Sequence, residues 1–283
     1  MKITTLIENR DGIADGEHLK GEWGLSLHIA FNGHHILFDT GASGAFADNA
    51  RKLSVDLSAV DAVVLSHHHY DHGGGLKRFL QINPCAEVYM AKAPDGKCCA
   101  RAFGLFTKYI GLDYAALSGF GRQFQAVEKP VEILPRVHLL PCIEGSHPRP
   151  QGNRRLYLKK DGRLLPDAFS HELVMAIEEH GELVVFTGCS HNGLLNMLDT
   201  IAAAFPGIAV KAVIGGFHLV SSPLFNRMAG SRQQVEAFGK AVLKHPVGVA
   251  YTGHCTGAQA FDVLQSVMGE RIVDMRTGSR FDV

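Results

Sequence analysis

The 283-residue sequence predicts an α/β (α+β) fold, a four-layer αββα sandwich of two β-rich halves with helices on the outside. Apolar runs of strand length alternate with amphipathic stretches of helix length in both halves. In the second half a strand, a glycine, a histidine and a helix recur without a fixed period, which excludes a solenoid repeat. With 46% hydrophobic residues the chain can bury a large core, so we expect a single domain over 1–283.

The first half is expected to contain a hairpin and two strand–helix units. The Asn32-Gly33 turn predicts a hairpin with arms over 25–30 and 35–38, the second arm ending at Asp39. A helix over 45–53 and a buried strand over 61–66 follow. The next helix begins after three glycines with Leu76, Phe79 and Leu80 on its apolar face, and a strand over 87–90 comes after it.

The segment 94–130 breaks this regular pattern and is predicted to be an insert. Large apolar side chains are spread among five glycines there: Phe103, Leu105, Phe106, Tyr109, Tyr114, Phe120 and Phe124. Two interpretations stay open, a lid that lines an apolar substrate pocket and a helical excursion with its own small core, because aromatic density alone does not locate a ligand.

The second half returns to alternation and supplies the remaining layers. Each strand is a short apolar run, and each helix has apolar residues at helical spacing. The expected strands cover 137–140, 156–160, 172–177, 183–186, 211–214 and 247–251, and the expected helices cover 194–204, 233–243 and 258–267.

Composition excludes several classes of function. The 28 basic and 28 acidic residues balance, so neither nucleic acid nor an anionic membrane is an expected partner. No apolar run is long enough to span a bilayer and Glu8 interrupts the N-terminus too early for a signal peptide, so we expect a cytoplasmic protein. The expected partner is a small, anionic molecule, and a homo-oligomer stays open. Six cysteines without a C-x-x-C pair indicate neither a zinc ribbon nor a disulfide framework.

The most informative stretch is 67–72, in which His67, His69, Asp71 and His72 fall at the spacing H-x-H-x-D-H. In an extended backbone His67 and His69 point to one side, so they can bind one metal ion. Asp71 and His72 arrive as the chain turns and can bind a second ion nearby. The alternative is a solvated histidine-rich loop, which the adjoining buried strand and glycines disfavour.

Three further histidines close later strands. His191, His218 and His254 each follow an apolar run and a glycine, and strand ends of this kind are where ligands collect in sheets covered by helices. Asp39 closes an early strand, and we expect it to accept a ring N–H from a ligating histidine. The alternative for Asp39 is an Asx-type turn residue.

These residues resemble the metallo-β-lactamase-fold metallohydrolases over nearly the whole chain. The segments 24–26, 37–41, 66–76, 187–193, 215–219 and 252–257 are similar to the branch that includes archaeal dihydropterin ribofuranosyl-aminobenzene phosphate synthase and many metal-dependent hydrolases. The resemblance implies a metallo-β-lactamase-type sandwich with a dinuclear site. The implied ligands are His67, His69 and His191 for the first ion and Asp71, His72 and His254 for the second.

One position departs from that family. Many members place a bridging aspartate between the last two histidines, whereas the corresponding strand end here carries His218 and no acid. His218 can take that position or face the substrate, or the second ion is weakly held. Asp71 and His218 are the expected catalytic residues, and His218 is also an expected substrate contact.

The resemblance implies two divalent metal ions, with Zn as the first choice and Mn, Fe or Mg as alternatives. Such ions activate water for hydrolysis of a small phosphorylated or heterocyclic substrate. The family also implies an alternative, a transferase in which a dihydropterin-methyl diphosphate loses pyrophosphate to an attacking aromatic carbon. A regulator that binds metal and a small molecule without turnover is the third hypothesis.

Both enzymatic hypotheses need an anion pocket, and the predicted one is the loop 144–149. Arg149, followed by Arg154 and Arg155, can bind a phosphate with His147 donating beside it. The alternative is a solvated proline-rich loop. Asp167 and Glu172 either orient this loop or lie on the surface. Cys189 and Cys255 adjoin presumed ligands but are expected to be buried thiols that only pack in the core, since the implied ligand set contains no thiolate.

Overall fold

The computed structural model describes residues 1–102, 106–222 and 227–283, and two seven-stranded sheets form its centre. Strands of the first sheet, in spatial order, are Phe124–Val127, Glu87–Ala91, Ala62–Leu65, His34–Phe38, Ser26–Phe31, Lys2–Ile7 and Arg280–Asp282. Strands of the second sheet are Val131–Leu134, Val137–Leu140, Val174–Glu179, Glu182–Phe186, Val210–Ile214, Val247–Thr252 and Ile272–Asp274. The N-terminal half of the chain thus builds most of the first sheet, and the C-terminal half builds most of the second.

Three apolar clusters correspond to the three interfaces of a four-layer αββα sandwich, which confirms the predicted fold. Side chains such as Phe38 and Phe186 fill the space between the sheets, with ring centroids 5.8 Å apart. Helices Ala45–Lys52 and Leu76–Ile82 cover the outer face of the first sheet. Helices Leu194–Ala204, Arg232–Val242 and Ala258–Met268 cover the second sheet.

The predicted elements agree with the structure to within one or two residues. Each helix end differs by at most one position from its expected bound, because apolar periodicity is strong there. The strand expected over 172–177 begins later, at Val174, because Glu172 turns its carboxylate toward the backbone of a neighbouring loop.

The glycines after the histidine motif allow the loop to press against the first sheet. A Cβ at Gly74 would lie 2.3 Å from the carbonyl oxygen of Ala42. Gly74 N–H in turn donates to the Gly41 carbonyl at 3.0 Å. The short helix Tyr70–Gly73 therefore sits directly beside the turn that closes the strand His34–Phe38.

The segment 94–130 contains both β-strands and helical turns in its described part, the turns being Tyr114–Leu117 and Ser118–Gln123. Strands Lys97–Ala102 and Phe106–Tyr109 pair with Leu156–Lys160 and Arg163–Pro166 in a four-stranded sheet, here called the small sheet. Phe103 and Leu105 lie outside the described residues. The last part, Phe124–Val127, pairs in parallel with Glu87–Ala91 and so belongs to the first sheet rather than to an insert.

Within the described ranges, no helix is both long and apolar enough to cross a membrane.

Replacing Phe186 by Ala tests the interface between the sheets. Phe186 is fully buried, so we expect the free energy of unfolding to fall by about 3–5 kcal/mol through lost burial and an unfilled cavity. The measurement is urea denaturation of the metal-free chain. Phe106→Ala is the matched control, because Phe106 is 69% exposed, and it should change the free energy by less than about 0.5 kcal/mol. Equal losses in both variants would contradict the assignment of Phe186 to the core.

Candidate metal centre

The carboxyl ends of four strands meet at one edge of the two sheets. The histidine loop follows Ala62–Leu65 of the first sheet. The three later histidines follow Glu182–Phe186, Val210–Ile214 and Val247–Thr252, which are parallel neighbours in the second sheet. Parallel strands deliver their ends to the same edge, so the residues predicted from the sequence as ligands come together there.

Their ring nitrogens and one carboxylate converge as two adjoining groups. In the first group His67 Nε2 lies 3.0 Å from His69 Nδ1, and the His67 and His191 rings are 4.8 Å apart. In the second group His72 Nε2 lies 3.1 Å from His254 Nε2, which is 3.5 Å from Asp71 Oδ2. The rings of His67 and His72 are 4.2 Å apart and join the groups.

Asp39 and Ser66 fix the outward-facing nitrogens of the motif. Asp39 Oδ2 accepts the Nδ1–H of His72 at 2.6 Å and the Ser66 hydroxyl at 2.8 Å. The Ser66 oxygen is then an acceptor for His67 Nδ1–H at 2.9 Å. These contacts assign the Nδ1–H tautomer to neutral His67 and His72 and leave each Nε2 lone pair facing the cluster.

His191 and His254 are held by two matching pairs of side chains. For His191, the Glu172 carboxylate accepts the backbone N–H at 2.7 Å and Asn153 Oδ1 lies 2.9 Å from Nδ1. For His254, Glu8 accepts the backbone N–H at 2.7 Å and Asn9 Oδ1 lies 2.9 Å from Nδ1. A buried glutamate thus fixes each backbone, and an asparagine amide oxygen fixes each ring.

This arrangement fits divalent metal ions. With Asp39 and Asn9 each accepting an Nδ1–H, the Nε2 lone pairs of neutral His72 and His254 would lie 3.1 Å apart inside the protein, which is unfavourable unless a proton or a metal ion lies between them. Two nitrogens bound to one tetrahedral zinc, at about 2.0–2.1 Å each, are separated by about 3.3 Å. His191 Nε2 is buried and, among the described residues, has no hydrogen-bond partner.

Burial keeps the first group neutral. Desolvation, together with the neighbouring imidazoles, lowers the pKa of His67 and of His191 well below the ordinary value. Desolvation and His171 lower the pKa of His69 to about 3. These rings therefore carry no competing proton at neutral pH and can bind an ion without losing one.

The second group attracts positive charge. Desolvation opposes the charged form of His72, but the Asp39 carboxylate outweighs it and raises the pKa of His72 to about 9. The Asp71 carboxyl is also desolvated, yet its bond to His254 and the charge of His72 hold its pKa below the usual range. A metal ion that binds here must displace a proton.

A cavity of about 490 Å³ opens beside both groups. His69, Asp71, His191 and His218 contribute to its wall. Its other lining includes the aromatic rings of Trp23 and Tyr70, the apolar Ile110, Leu156 and Val220, and the cationic Arg101, Lys108 and Arg155. The small sheet supplies several of these residues, so it forms one side of the cavity.

His218 lines this cavity beside His191. Its ring lies 4.2 Å from that of His191, and both of its ring nitrogens are buried without a hydrogen-bond partner among the described residues. Its backbone adopts a left-handed φ of 48°, and its N–H donates to Cys255 Sγ at 3.3 Å. The ring is therefore available to a substrate.

The predicted anion loop does not reach the cavity. His147 pairs with Asp199 at 3.1 Å, and Arg149 lines a separate, smaller hollow with Arg154. The reason is that Asn196 on helix Leu194–Ala204 binds the backbone of His147 on both sides, at 2.9 and 3.0 Å, and holds the loop outward. Of the arginines in this region, only Arg155 lines the cavity within the described chain.

Sequence reasoning missed the residues that hold the ligands from outside. In the sequence Glu8 served only to argue against a signal peptide, and Asn9 and Asn153 had no assigned role. Glu172 is 1% exposed, so the surface interpretation of this residue is wrong. A signal did exist for both glutamates, because each is an acid beside an apolar run: Glu8 follows one, as Asp39 does, and Glu172 precedes one.

Comparisons with known proteins find similarity to metallo-β-lactamase-fold proteins. A family model of the metallo-β-lactamase superfamily matches residues 25–95, which contain the histidine motif. The chain is 27% identical to 7,8-dihydropterin-6-methyl-4-(β-D-ribofuranosyl)-aminobenzene-5′-phosphate synthase of Methanocaldococcus jannaschii over 297 residues, which cover 98% of this chain and 95% of the relative.

Solved structures show the same fold. The crystal structure of Tm1679, a metal-dependent hydrolase of the β-lactamase superfamily, is similar over 100% of this chain and 99% of its own, with a TM-score of 0.78 and 28% identity. Zinc-bound PqqB from Methylobacterium extorquens covers 100% of both chains with a TM-score of 0.58 and 13% identity, a likeness of fold alone.

Replacing Asp39 by Asn should weaken metal binding without removing a ligand. The amide no longer provides the negative charge that holds His72, so we expect a loss of about 10- to 100-fold in affinity for one bound ion. Competition with a chelator measures this loss. Asp56→Asn, at an exposed turn, is the control and should bind as wild type. Unchanged affinity in Asp39→Asn would contradict the supporting role.

The two groups should respond differently to pH. The raised pKa of His72 means that a proton competes there until the pH exceeds about 9, so affinity for that ion should rise at least tenfold per pH unit between 6.5 and 9. The lowered pKa values of His67 and His191 predict almost no change for the other ion. Zinc titrations with a competing chelator at several pH values measure both. Equal pH slopes for the two ions would contradict this assignment.

Proposed function

We propose that this chain is a member of the metallo-β-lactamase superfamily and a metal-dependent hydrolase of a small phosphorylated or heterocyclic substrate. One observation carries the proposal: the buried cluster of histidines and Asp71 forms a wall of a cavity that also presents cationic and aromatic side chains. A pocket of this kind, with perturbed titratable groups at its base, is typical of an active site.

The proposed ligands are the six residues expected from the sequence. His67, His69 and His191 would hold one divalent ion, and Asp71, His72 and His254 would hold another, with zinc the first choice because of the nitrogen-rich set. When bound, such ions act as Lewis acids that activate water and stabilise negative charge on a substrate oxygen.

The remaining residues bind and orient the substrate. Arg101, Lys108 and Arg155 line the same cavity and supply positive charge for a phosphoryl group. Trp23, whose ring lies 4.9 Å from that of His254, offers a flat surface for a heterocycle.

Two residues are proposed to handle protons. Asp71 lines the cavity as an ionised carboxylate, so it can orient an attacking water by accepting its hydrogen bond. His218, with no hydrogen-bond partner on either ring nitrogen among the described residues, can pass a proton to the leaving oxygen.

A transferase is the second candidate, and the similarity over nearly the whole chain to the Methanocaldococcus synthase supports it. The same cationic residues would bind a departing diphosphate, and the aromatic wall would bind the pterin. The same cavity wall could serve either reaction. In both, a phosphorylated group is bound, and the difference is that water attacks in hydrolysis whereas an aromatic carbon attacks in transfer.

Isotope-labelled water separates hydrolysis from transfer. The metal-loaded protein is incubated with phosphate esters and with a dihydropterin-methyl diphosphate, with and without a ribosyl-aminobenzene phosphate. Hydrolysis places ¹⁸O from water in a product without any acceptor. Transfer releases unlabelled pyrophosphate only when the acceptor is present. No turnover of any phosphorylated compound by the metal-loaded protein would contradict the proposal.

Substitution of two arginines tests the anion site. Arg155→Ala should raise KM for a phosphorylated substrate by about 10-fold or more, because it removes a charged hydrogen bond worth about 1.5–3 kcal/mol. Arg149→Ala is the matched control, because Arg149 is also exposed but lines the separate hollow. Steady-state kinetics of both variants measure KM for the phosphorylated substrate. A larger effect at Arg149 would restore the loop 144–149 as the anion site.

A further inference from the structure

The thiol of Cys189 lies between the two groups of ligands. Its Sγ is 3.2 Å from His72 Nε2, and Sγ together with single ligand atoms of His72 and His254 fits within 4.8 Å. The same limit holds for Sγ with ligand atoms of His67 and His191. Cys189 is 3% exposed, and it lines the cavity beside His191 and His218.

The backbone is shaped to bring this sulfur inward. A Cβ at Gly188 would lie 2.1 Å from Ser66 Oγ, so only glycine lets the strand end approach the histidine loop so closely. Ser190 has a left-handed φ of 56°, and its hydroxyl donates to the Gly216 carbonyl at 2.7 Å. This turn places Cys189 and His191 at the same cluster.

Cys255 differs from Cys189 in that its sulfur has hydrogen bonds to two backbone groups. Its Sγ accepts the His218 N–H at 3.3 Å and donates toward the Cys189 carbonyl at 3.7 Å. Through those contacts, the loop that carries Cys255 is joined to the backbone of His218 and to the backbone of Cys189. The Cys189 sulfur contacts an imidazole nitrogen, His72 Nε2, at 3.2 Å.

We propose that Cys189 Sγ, as a thiolate, is a ligand of the ion held by Asp71, His72 and His254. It completes a set of four around an ion that has no bridging aspartate, and it replaces the earlier expectation that this thiol only packs in the core. Binding exchanges the S–H bond for a sulfur–metal bond, and the proton leaves to solvent.

The inference rests on the proposed metal centre and restricts which metal ions are expected to bind there. A soft thiolate favours zinc, iron or cobalt and disfavours magnesium, which prefers oxygen ligands. The two metal sites would then differ in their ligand atoms, since one has nitrogen alone and the other has nitrogen, oxygen and sulfur. Because only one site contains sulfur, the two bound ions would have different absorption spectra.

The full chain reconstituted with Co(II) tests the assignment. Thiolate-bound Co(II) gives an intense near-ultraviolet charge-transfer band, whereas Co(II) bound by nitrogen and oxygen gives only weak visible bands. We expect the intense band in wild type, at a level of one thiolate-bound ion per chain. Cys189→Ser should lose it and keep visible bands, and Cys255→Ser, the matched control, should keep it.

X-ray absorption of the wild-type zinc protein gives a second measurement that needs no variant. The expected result is a sulfur neighbour at about 2.3 Å from zinc. Visible Co(II) bands without the intense band, a band that survives in Cys189→Ser, or zinc without a sulfur neighbour would each overturn the role of Cys189 and leave the metal centre standing. Failure of wild type to bind Co(II) or zinc at all would overturn the metal centre itself.

Discussion

The buried carboxylate of Asp39 is the interaction on which the rest of the site depends. It is fully buried and accepts three hydrogen bonds, from the backbone and hydroxyl of Ser66 and from the ring of His72. A buried charge is tolerated only when it is paired and hydrogen-bonded in this way. Because Asp39 ends a strand of the first sheet, the carboxylate ties the histidine loop to the rigid core rather than to another loop.

The second sheet repeats this solution with different residues. Its two ligand loops approach the cluster as turns without regular structure, so their backbone N–H groups need acceptors. Glu172 supplies one for His191 and Glu8 supplies one for His254. Four of the six proposed ligands, His67, His72, His191 and His254, are thus held by neighbouring side chains, which favours a rigid site.

Sequence reasoning identified the layers and the converging histidines because both follow from local patterns. Periodicity locates helices such as Leu194–Ala204, and strand ends followed by glycine and histidine locate the ligands. It could not locate the supporting residues or the cationic wall. Asn153 and His191 meet only in the fold, and Lys108 stands on a strand whose four residues are all exposed, so no alternation identifies it.

The same reasoning assigned the anion pocket to the loop 144–149, because its sequence contains an arginine and a histidine that could bind a phosphate. Arg149 and His147 are close along the chain, but the amide of Asn196 holds their loop away from the cavity. Local composition states which chemistry is available, whereas the direction in which a loop projects depends on contacts distant in sequence. For this reason the choice of Arg155 over Arg149 required the structure.

The contact between Glu8 and His254 joins residues 246 positions apart. Closing a loop of that length costs more conformational entropy than closing a short one, so this contact depends on the rest of the fold to hold its two ends together. His254 therefore takes its place in the cluster only when the final strands pack against the first one. An ion bound by both His72 and His254 would add a link between the two ends of the chain.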